Sequence, residues 1–280
     1  MLPLLTAACL LLLAGESLAQ LRDESTISTE GTQFVKPEPP PRPAPPVPPA
    51  RPRTAAPRAP EPPVVKRPPR RAAPPPRYPS VVFLLDTSDS MLNKVPGKGT
   101  TRLDEAKFAL SRVVQSMSRV TRMQLWTFNT RRKPVTIGGA PPGSFIAVGR
   151  PGLREQLARK IQGIRTAGGT NLYQAIIRTL DIFGAPADQP LYRSGQRFPV
   201  LVVISDGEDG GKTGHTLESV LAARRRYPLV TINTIGFHIS GDEKSYQRLC
   251  RISTNPQGCA TADNQQQLQK ILESFYQPRG

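Results

Sequence analysis

The chain has 280 residues, with 38 Lys and Arg against 21 Asp and Glu, which gives a net charge of +17 at pH 7. Nucleic acid is not the expected partner, because the basic residues are not interleaved with aromatic side chains and the N-terminus is typical of an exported protein. We expect instead an acidic protein partner or an anionic envelope surface.

Residues 1–19 have the outline of a secretory signal peptide. An apolar run centred on residues 10–14 precedes Ser17-Leu18-Ala19, a small-x-small cleavage site. The run is too short to span a bilayer comfortably, so no transmembrane span is predicted. No Lys or Arg precedes the run, which leaves an uncleaved interfacial anchor as the alternative. We expect export to the periplasm, the cell envelope or the extracellular space.

Residues 20–79 are predicted to form a disordered, basic, proline-rich linker. Residues 36–79 contain 20 of the 32 prolines and hardly any large apolar side chain. Such a segment cannot bury enough surface to offset its ordering entropy, and its prolines favour extended polyproline II. It could act as a spacer, as a cationic tether to an anionic polymer or membrane, or as a ligand for a proline-binding domain.

Residues 80–280 are predicted to form one folded domain in which strands and helices alternate. Buried strands are indicated by apolar runs, and helices by apolar residues three or four apart; Thr101 and Asp104 resemble a capping box. The predicted strands are 81–85, 123–129, 200–205, 229–235 and a short one near residue 259. The predicted helices are 103–117, 153–164, 170–183, 216–226, 242–252 and 264–276. This alternation indicates an α/β fold with a doubly wound, mostly parallel central sheet flanked by helices.

Two of the three cysteines lie in the predicted folded domain, and Cys9 lies in the predicted signal peptide. Cys250 ends a helical pattern and Cys259 follows the turn at residues 255–258, so their Cα atoms can approach each other. We predict a disulfide between them in an oxidising compartment. The alternative for Cys250 is a buried thiol on the apolar face of its helix.

Three oxygen-bearing side chains follow the first predicted strand at alternate positions: Asp86, Ser88 and Ser90. A carboxylate at the end of a buried strand requires compensation by N–H donors or a positive charge. A hard divalent cation would supply it, but Asp86 could instead cap a helix and the serines could be turn residues.

Two further stretches provide oxygen ligands at the same predicted edge of the sheet. Gly168-Gly169-Thr170 opens a helix, and Asp206 follows a buried strand. In parallel α/β sheets, ligands bind beyond the carboxyl ends of the strands. The five oxygens of Asp86, Ser88, Ser90, Thr170 and Asp206 therefore predict a site for Mg²⁺, or for Mn²⁺ or Ca²⁺, with one coordination position left open.

These three stretches resemble the metal-ion-dependent adhesion site of von Willebrand factor A-type domains, in a bacterial exported version. The resemblance covers residues 80–280 and implies that Ser88, Ser90 and Thr170 bind Mg²⁺ directly. It implies that Asp86 and Asp206 hold the ion directly or through water, and that a partner's carboxylate completes the coordination. One departure is Asp89, where the family usually has Gly, and its charge could tighten metal binding, favour Ca²⁺ or repel an acidic partner.

The resemblance implies a non-enzymatic, metal-dependent protein-binding module. One alternative is an envelope scaffold held to an anionic surface by the basic linker. A metal-assisted hydrolase is a weaker alternative, because neither His215 nor His238 lies in the three stretches. A phosphate-binding loop at residues 207–213 is disfavoured because Asp206 stands where that motif needs glycine.

Overall fold

The structure, a computed structural model, describes residues 77–135, 141, 143–207, 209–210 and 213–276. The predicted signal peptide and all but the last three residues of the predicted linker lie outside these residues, and the domain boundaries remain predictions. No helix in the described part of the chain is both long enough and apolar enough to cross a membrane.

The described residues contain one sheet of seven strands. They are β1 (Tyr78–Asp86), β2 (Arg122–Phe128), β3 (Arg132–Pro134), β4 (Ile146–Ala147), β5 (Arg197–Ser205), β6 (Thr231–Phe237) and β7 (Cys259–Ala262). The order is β3-β2-β1-β5-β6-β7, and β4 also pairs with β2. β3 and β4 are antiparallel to β2, and the other neighbouring pairs are parallel.

Helices cover both faces of this sheet. They are α1 (Arg102–Ser116), α2 (Leu153–Gln162), α3 (Leu172–Leu180), α4 (Gln189–Arg193), α5 (Leu217–Arg226), α6 (Glu243–Ile252) and α7 (Gln265–Tyr276). Apolar residues of α1, α2 and α7 belong to the core on one face. Those of α3, α4, α5 and α6 belong to the core on the other face.

β1 lies between the two cores and contributes side chains to both. Val81, Phe83 and Leu85 point into one core, whereas Val82 and Leu84 point into the other. All five side chains have 0% exposure, which is why this stretch is a continuous apolar run and not an alternating one. Full burial of each such side chain stabilises the fold by roughly 1.5–3 kcal/mol before entropy is counted.

The predicted fold class and the capping box are confirmed. The Thr101 hydroxyl accepts a hydrogen bond from the N–H of Asp104, and the Asp104 carboxylate accepts one from the N–H of Thr101. β3, β4 and α4 were not predicted, because elements of two to five residues are too short to establish a period. The helix predicted over residues 170–183 ends at Leu180 and continues as a 3₁₀ turn, whose Phe183 remains in the same core.

The predicted disulfide is confirmed: Cys250 and Cys259 are bonded, with their Cα atoms 5.0 Å apart. Cys250 lies in the last turns of α6 and Cys259 is the first residue of β7. β7 is a short strand at the end of the sheet and pairs with β6. The bond therefore ties this edge strand to the helix that precedes it.

Replacing both cysteines, as Cys250→Ser with Cys259→Ser, should lower the free energy of unfolding. The two residues are nine apart in sequence, and loop-closure entropy for a loop of this length corresponds to about 3 kcal/mol. Urea unfolding of the two proteins measures the difference. Reductant should destabilise the wild type and leave the double variant unchanged; equal stability of the two oxidised proteins would contradict the prediction.

Candidate metal centre

The carboxyl ends of β1 and β5 lie next to each other, because these two strands are parallel neighbours in the middle of the sheet. From β1 the chain continues to β2 on one side, whereas β5, β6 and β7 follow one another on the other side. The direction of strand addition therefore reverses between β1 and β5, which makes this position the switch point of the sheet. In open α/β sheets, the crevice outside the switch point is the usual ligand site. Asp86 ends β1, Ser205 ends β5 and Asp206 follows it.

The Asp86 carboxylate is fully buried and accepts two hydrogen bonds. Its Oδ1 accepts a hydrogen bond from the N–H of Ser88 (2.9 Å), and its Oδ2 accepts one from the hydroxyl of Ser205 (2.7 Å). Burial raises the pKa of Asp86 to about 6 although these hydrogen bonds act to lower it; the charge of Asp206 adds to the increase. An ionised carboxylate in this position would be stabilised by a nearby cation.

The two serines and Asp206 form a chain of polar contacts across the crevice. The hydroxyl oxygens of Ser88 and Ser90 are 3.0 Å apart, and the Ser90 hydroxyl donates to Asp206 Oδ1 (2.7 Å). Asp206 Oδ2 accepts a hydrogen bond from Arg102 Nη1 at 2.8 Å, which also makes an ion pair. Four of the five predicted ligands, all but Thr170, are thus linked directly or through Ser205.

The segment that carries Thr170 is attached to both of the others through its backbone. The N–H of Asp89 donates to the carbonyl of Gly168, and the N–H of Ala167 donates to the carbonyl of Thr87, each at 2.9 Å. On the other side, the N–H of Gly210 donates to the carbonyl of Thr170 at 2.7 Å. The structure therefore places Thr170 between the segments that carry Ser88 and Asp206.

Glycine is required at two places in this arrangement. Gly168 has φ +68°, a left-handed conformation that side chains disfavour. A Cβ at Gly210 would lie 2.8 Å from the carbonyl oxygen of Thr170, so only glycine allows the two backbones to approach this closely. Nothing in the sequence around Gly210 indicates this contact, because Gly210 and Thr170 are 40 residues apart.

The two acidic residues beside the site have different surroundings. Asp89 is exposed, so its carboxylate lies on the outer surface of the site. The Asp209 carboxylate accepts a hydrogen bond from the N–H of Tyr173 at 3.0 Å, in the first turn of α3. Asp209 thus stabilises the first turn of the helix that follows Thr170.

His238 follows β6 and lies at the same edge of the sheet, with its side chain 9% exposed. Its Nε2 is 3.5 Å from the buried carboxylate of Glu105, whose other oxygen pairs with Lys98 at 2.6 Å. Burial lowers the pKa of His238, whereas the charge of Glu105 acts to raise it. Glu105 lies on α1 together with Arg102, so the same helix contacts both His238 and Asp206.

Besides Gly210, Arg102 and Ser205 contribute to the site and were not predicted from the sequence. Neither has a signal of its own in the sequence: Arg102 is the first residue of α1, and Ser205 reads as the last residue of a strand. Their roles depend on the packing of α1 and β5 against the end of β1.

The donor set suits a hard divalent cation. Hydroxyl and carboxylate oxygens are the ligands that Mg²⁺, Mn²⁺ and Ca²⁺ prefer. Within the described residues, no group of three or more His, Cys, Asp and Glu side chains is arranged to hold a metal. A cation bound here would therefore depend on the serine and threonine hydroxyls together with Asp86 and Asp206.

Comparison with known proteins supports the fold. The sequence pattern of the von Willebrand factor type A domain matches residues 80–274. No curated protein sequence matches the chain closely enough to count as a relative.

Three of the solved structures that resemble this one are 13–17% identical to it in sequence, which shows a shared fold alone. BatB, a conserved hypothetical protein from Bacteroides thetaiotaomicron, is 17% identical, with TM-score 0.50 over 70% of this chain and 98% of that one. A von Willebrand factor type A structure from Catenulispora acidiphila is 13% identical, with a TM-score of 0.53. The match covers 72% of this chain and 42% of that one. Proximal thread matrix protein 1 of the mussel byssus, with a zinc-occupied MIDAS motif, is 15% identical, with a TM-score of 0.52. The match covers 72% of this chain and 48% of that one. The match spans less than half of the mussel protein.

Gly210→Ala should displace the Thr170 segment, because the added Cβ would clash with the Thr170 carbonyl. We expect the free energy of unfolding to fall by about 1–3 kcal/mol and the stabilisation by Mg²⁺ to shrink. Gly207→Ala is the matched control from the same segment, since its Cβ would have no neighbour within 4 Å. Thermal unfolding with and without Mg²⁺ checks both variants; equal effects of the two substitutions would contradict the prediction.

The free energy of unfolding should depend on pH through Asp86. Burial raises the pKa of Asp86 from 3.8 to about 6, so the folded state favours the protonated carboxyl. The resulting stabilisation of the fold is fully present below pH 3.8 and is lost as the pH rises through 6. Asp86→Asn removes this titration. The cost of Asp86→Asn in EDTA should therefore decrease by about 2–2.5 kcal/mol between about pH 4 and pH 7. Urea unfolding across that range measures it, and a cost that is independent of pH would refute the assignment.

Proposed function

Since this chain belongs to the von Willebrand factor type A family, we propose that it is an exported, non-enzymatic module that binds a protein partner through a divalent cation. The cation would be held by Asp86, Ser88, Ser90, Thr170 and Asp206. The partner would contribute an Asp or Glu carboxylate.

One observation carries the proposal: oxygen atoms from separate segments converge at the switch point of the sheet. Ser90, from the segment after β1, donates to Asp206, from the segment after β5, at 2.7 Å. Asp86 is joined to Ser205 in the same way, also at 2.7 Å. Polar side chains 116 and 119 residues apart in sequence are thus already placed at mutual distances that a small cation can bridge.

Each residue would have a distinct role toward the ion. Ser88, Ser90 and Thr170 would provide hydroxyl ligands, whereas Asp86 and Asp206 would balance its charge directly or through water. When bound, the ion would supply a positive centre for a carboxylate of the partner. Mg²⁺ is the first candidate, with Mn²⁺ and Ca²⁺ as alternatives, and the mussel byssus protein provides a precedent for a divalent ion in this fold.

Arg102 would modulate the affinity for the cation. Its guanidinium already neutralises Asp206, so the ion and Arg102 compete for the same carboxylate. The Arg102 side chain is 24% exposed, so it can remain near the surface when Asp206 turns to an ion. There it would add to the attraction for an acidic partner.

Export is proposed mainly from the sequence. It rests on residues 1–19, which lie outside the described residues. The Cys250–Cys259 disulfide supports it, because disulfides persist mainly in oxidising compartments.

Mg²⁺ should stabilise the wild type by mass action, by about 2.7 kcal/mol when its concentration is 100 times the dissociation constant. Asp206→Ala should abolish this stabilisation because it removes a charge-balancing oxygen donor. Arg102→Gln should increase it, since Asp206 is then no longer neutralised by a guanidinium. Differential scanning calorimetry of the three proteins in EDTA and in Mg²⁺ measures these changes.

A partner captured from envelope extract by the wild type should be released by EDTA and should not bind Asp206→Ala. Retention of the partner after chelation would count against the metal-dependent mechanism. An unchanged Mg²⁺ effect in Asp206→Ala would mean that the ion binds elsewhere.

A further inference from the structure

A pocket lined by three arginines lies beside the candidate metal centre, between α3 and the turn that joins β2 to β3. Its lining includes Arg131 and Arg132 from the strand side and Arg178 from α3, together with Asn129 and Asn171. The sequence alone does not place Arg178 opposite Arg131 and Arg132, because α3 lies at least 40 residues further along the chain.

The asparagines hold the two walls of the pocket together. The N–H of Asn171 donates to the carbonyl of Asn129, and the Asn171 side-chain amide donates to the carbonyl of Thr130, each at 2.9 Å. The Asn129 side-chain oxygen accepts a hydrogen bond from the N–H of Arg131 at 3.0 Å. The pocket therefore has fixed walls and is not a chance gap between mobile side chains.

The Arg132 side chain is held in place by contacts with Trp126 and Thr179. Its guanidinium carbon lies 3.9 Å from the centre of the Trp126 ring, and its Nη1 donates to the hydroxyl of Thr179 at 3.2 Å. Burial, together with the like charge of Arg178, lowers the pKa of Arg132 to about 10. The positive charges in this pocket thus act against each other.

Within the described part of the chain, none of the three guanidinium groups forms an ion pair. Asp181 attracts the charge of Arg132, but its carboxylate accepts a hydrogen bond from Tyr227 at 2.8 Å. Like charges brought together in a walled pocket favour an external anion, and the planar fork of arginine suits a carboxylate in particular.

The pocket shares a wall with the candidate metal centre. Asn171 directly follows Thr170 in the chain, and Thr130 lies against Gly168, where an added Cβ would be 3.4 Å from the Thr130 methyl group. A single acidic segment laid across this edge of the sheet would therefore meet both sites.

We propose that the arginine pocket is a second, metal-independent anchor that binds another carboxylate of the acidic partner. This proposal rests on the proposed function for the identity of the partner, but its own contacts require no cation. The partner would then present at least two acidic side chains, one for the ion and one for the pocket.

The test uses a labelled polyglutamate peptide and the full chain, with binding followed by fluorescence anisotropy in EDTA. Arg178→Gln should weaken binding about tenfold, the expected effect of losing one charge-assisted contact. Arg178 is exposed, so its replacement should leave the fold intact. Arg225→Gln removes the same charge from an exposed residue near the end of α5, at the opposite edge of the sheet, and should change affinity less than about twofold.

Equal weakening by Arg178→Gln and Arg225→Gln would overturn the proposal, because the attraction would then come from net charge alone. Arg178-dependent binding of inorganic phosphate without binding of the peptide would also overturn it. Failure of the proposed function has a different signature: Mg²⁺ would add nothing to peptide affinity, while the difference between the two arginine variants in EDTA would persist.

Discussion

The burial of the Asp86 carboxylate is the constraint on which the rest of the site depends. The side chain has no contact with solvent, so its charge must be stabilised by neighbouring groups. The N–H of Ser88 and the hydroxyl of Ser205 supply two hydrogen bonds, yet the pKa still rises to about 6. The same two bonds set the path of the chain after β1 and join it to the end of β5. A single buried carboxylate therefore both shapes the crevice and favours a cation in it.

The charges around this crevice are arranged in an order that suits an acidic ligand. Asp86 and Asp206 lie inside, with Arg102 paired to Asp206. The arginine pocket, which includes Arg132 and Arg178, lies on the far side of the Thr170 segment. Under the proposed function, an incoming carboxylate would meet Arg102 and Arg178 near the surface, and the exposed Asp89 would oppose its approach. This order is consistent with the net charge of +17, which would also accelerate the encounter with an acidic protein.

Much of the fold could be predicted because the relevant signals are local. The apolar run at residues 81–85 predicts a strand buried on both faces, and the Thr101–Asp104 capping box predicts the start of α1. The disulfide could be predicted because a helix end and a turn bring Cys250 and Cys259 together over a short stretch of chain. β3 and β4 could not be predicted, because strands of three and two residues form only where β2 offers an edge.

The sequence by itself determined which segments form strands and helices and which residues carry oxygen at the strand ends, since both follow from local composition and spacing. Tertiary structure decided which of those oxygens meet. It placed Ser205 against Asp86, Arg102 against Asp206, and Arg178 opposite Arg132. These pairs are separated by 119, 104 and 46 residues, so their contacts depend on the order in which strands pair and helices pack. No local pattern encodes that order, because each partner is a common residue in an ordinary local setting.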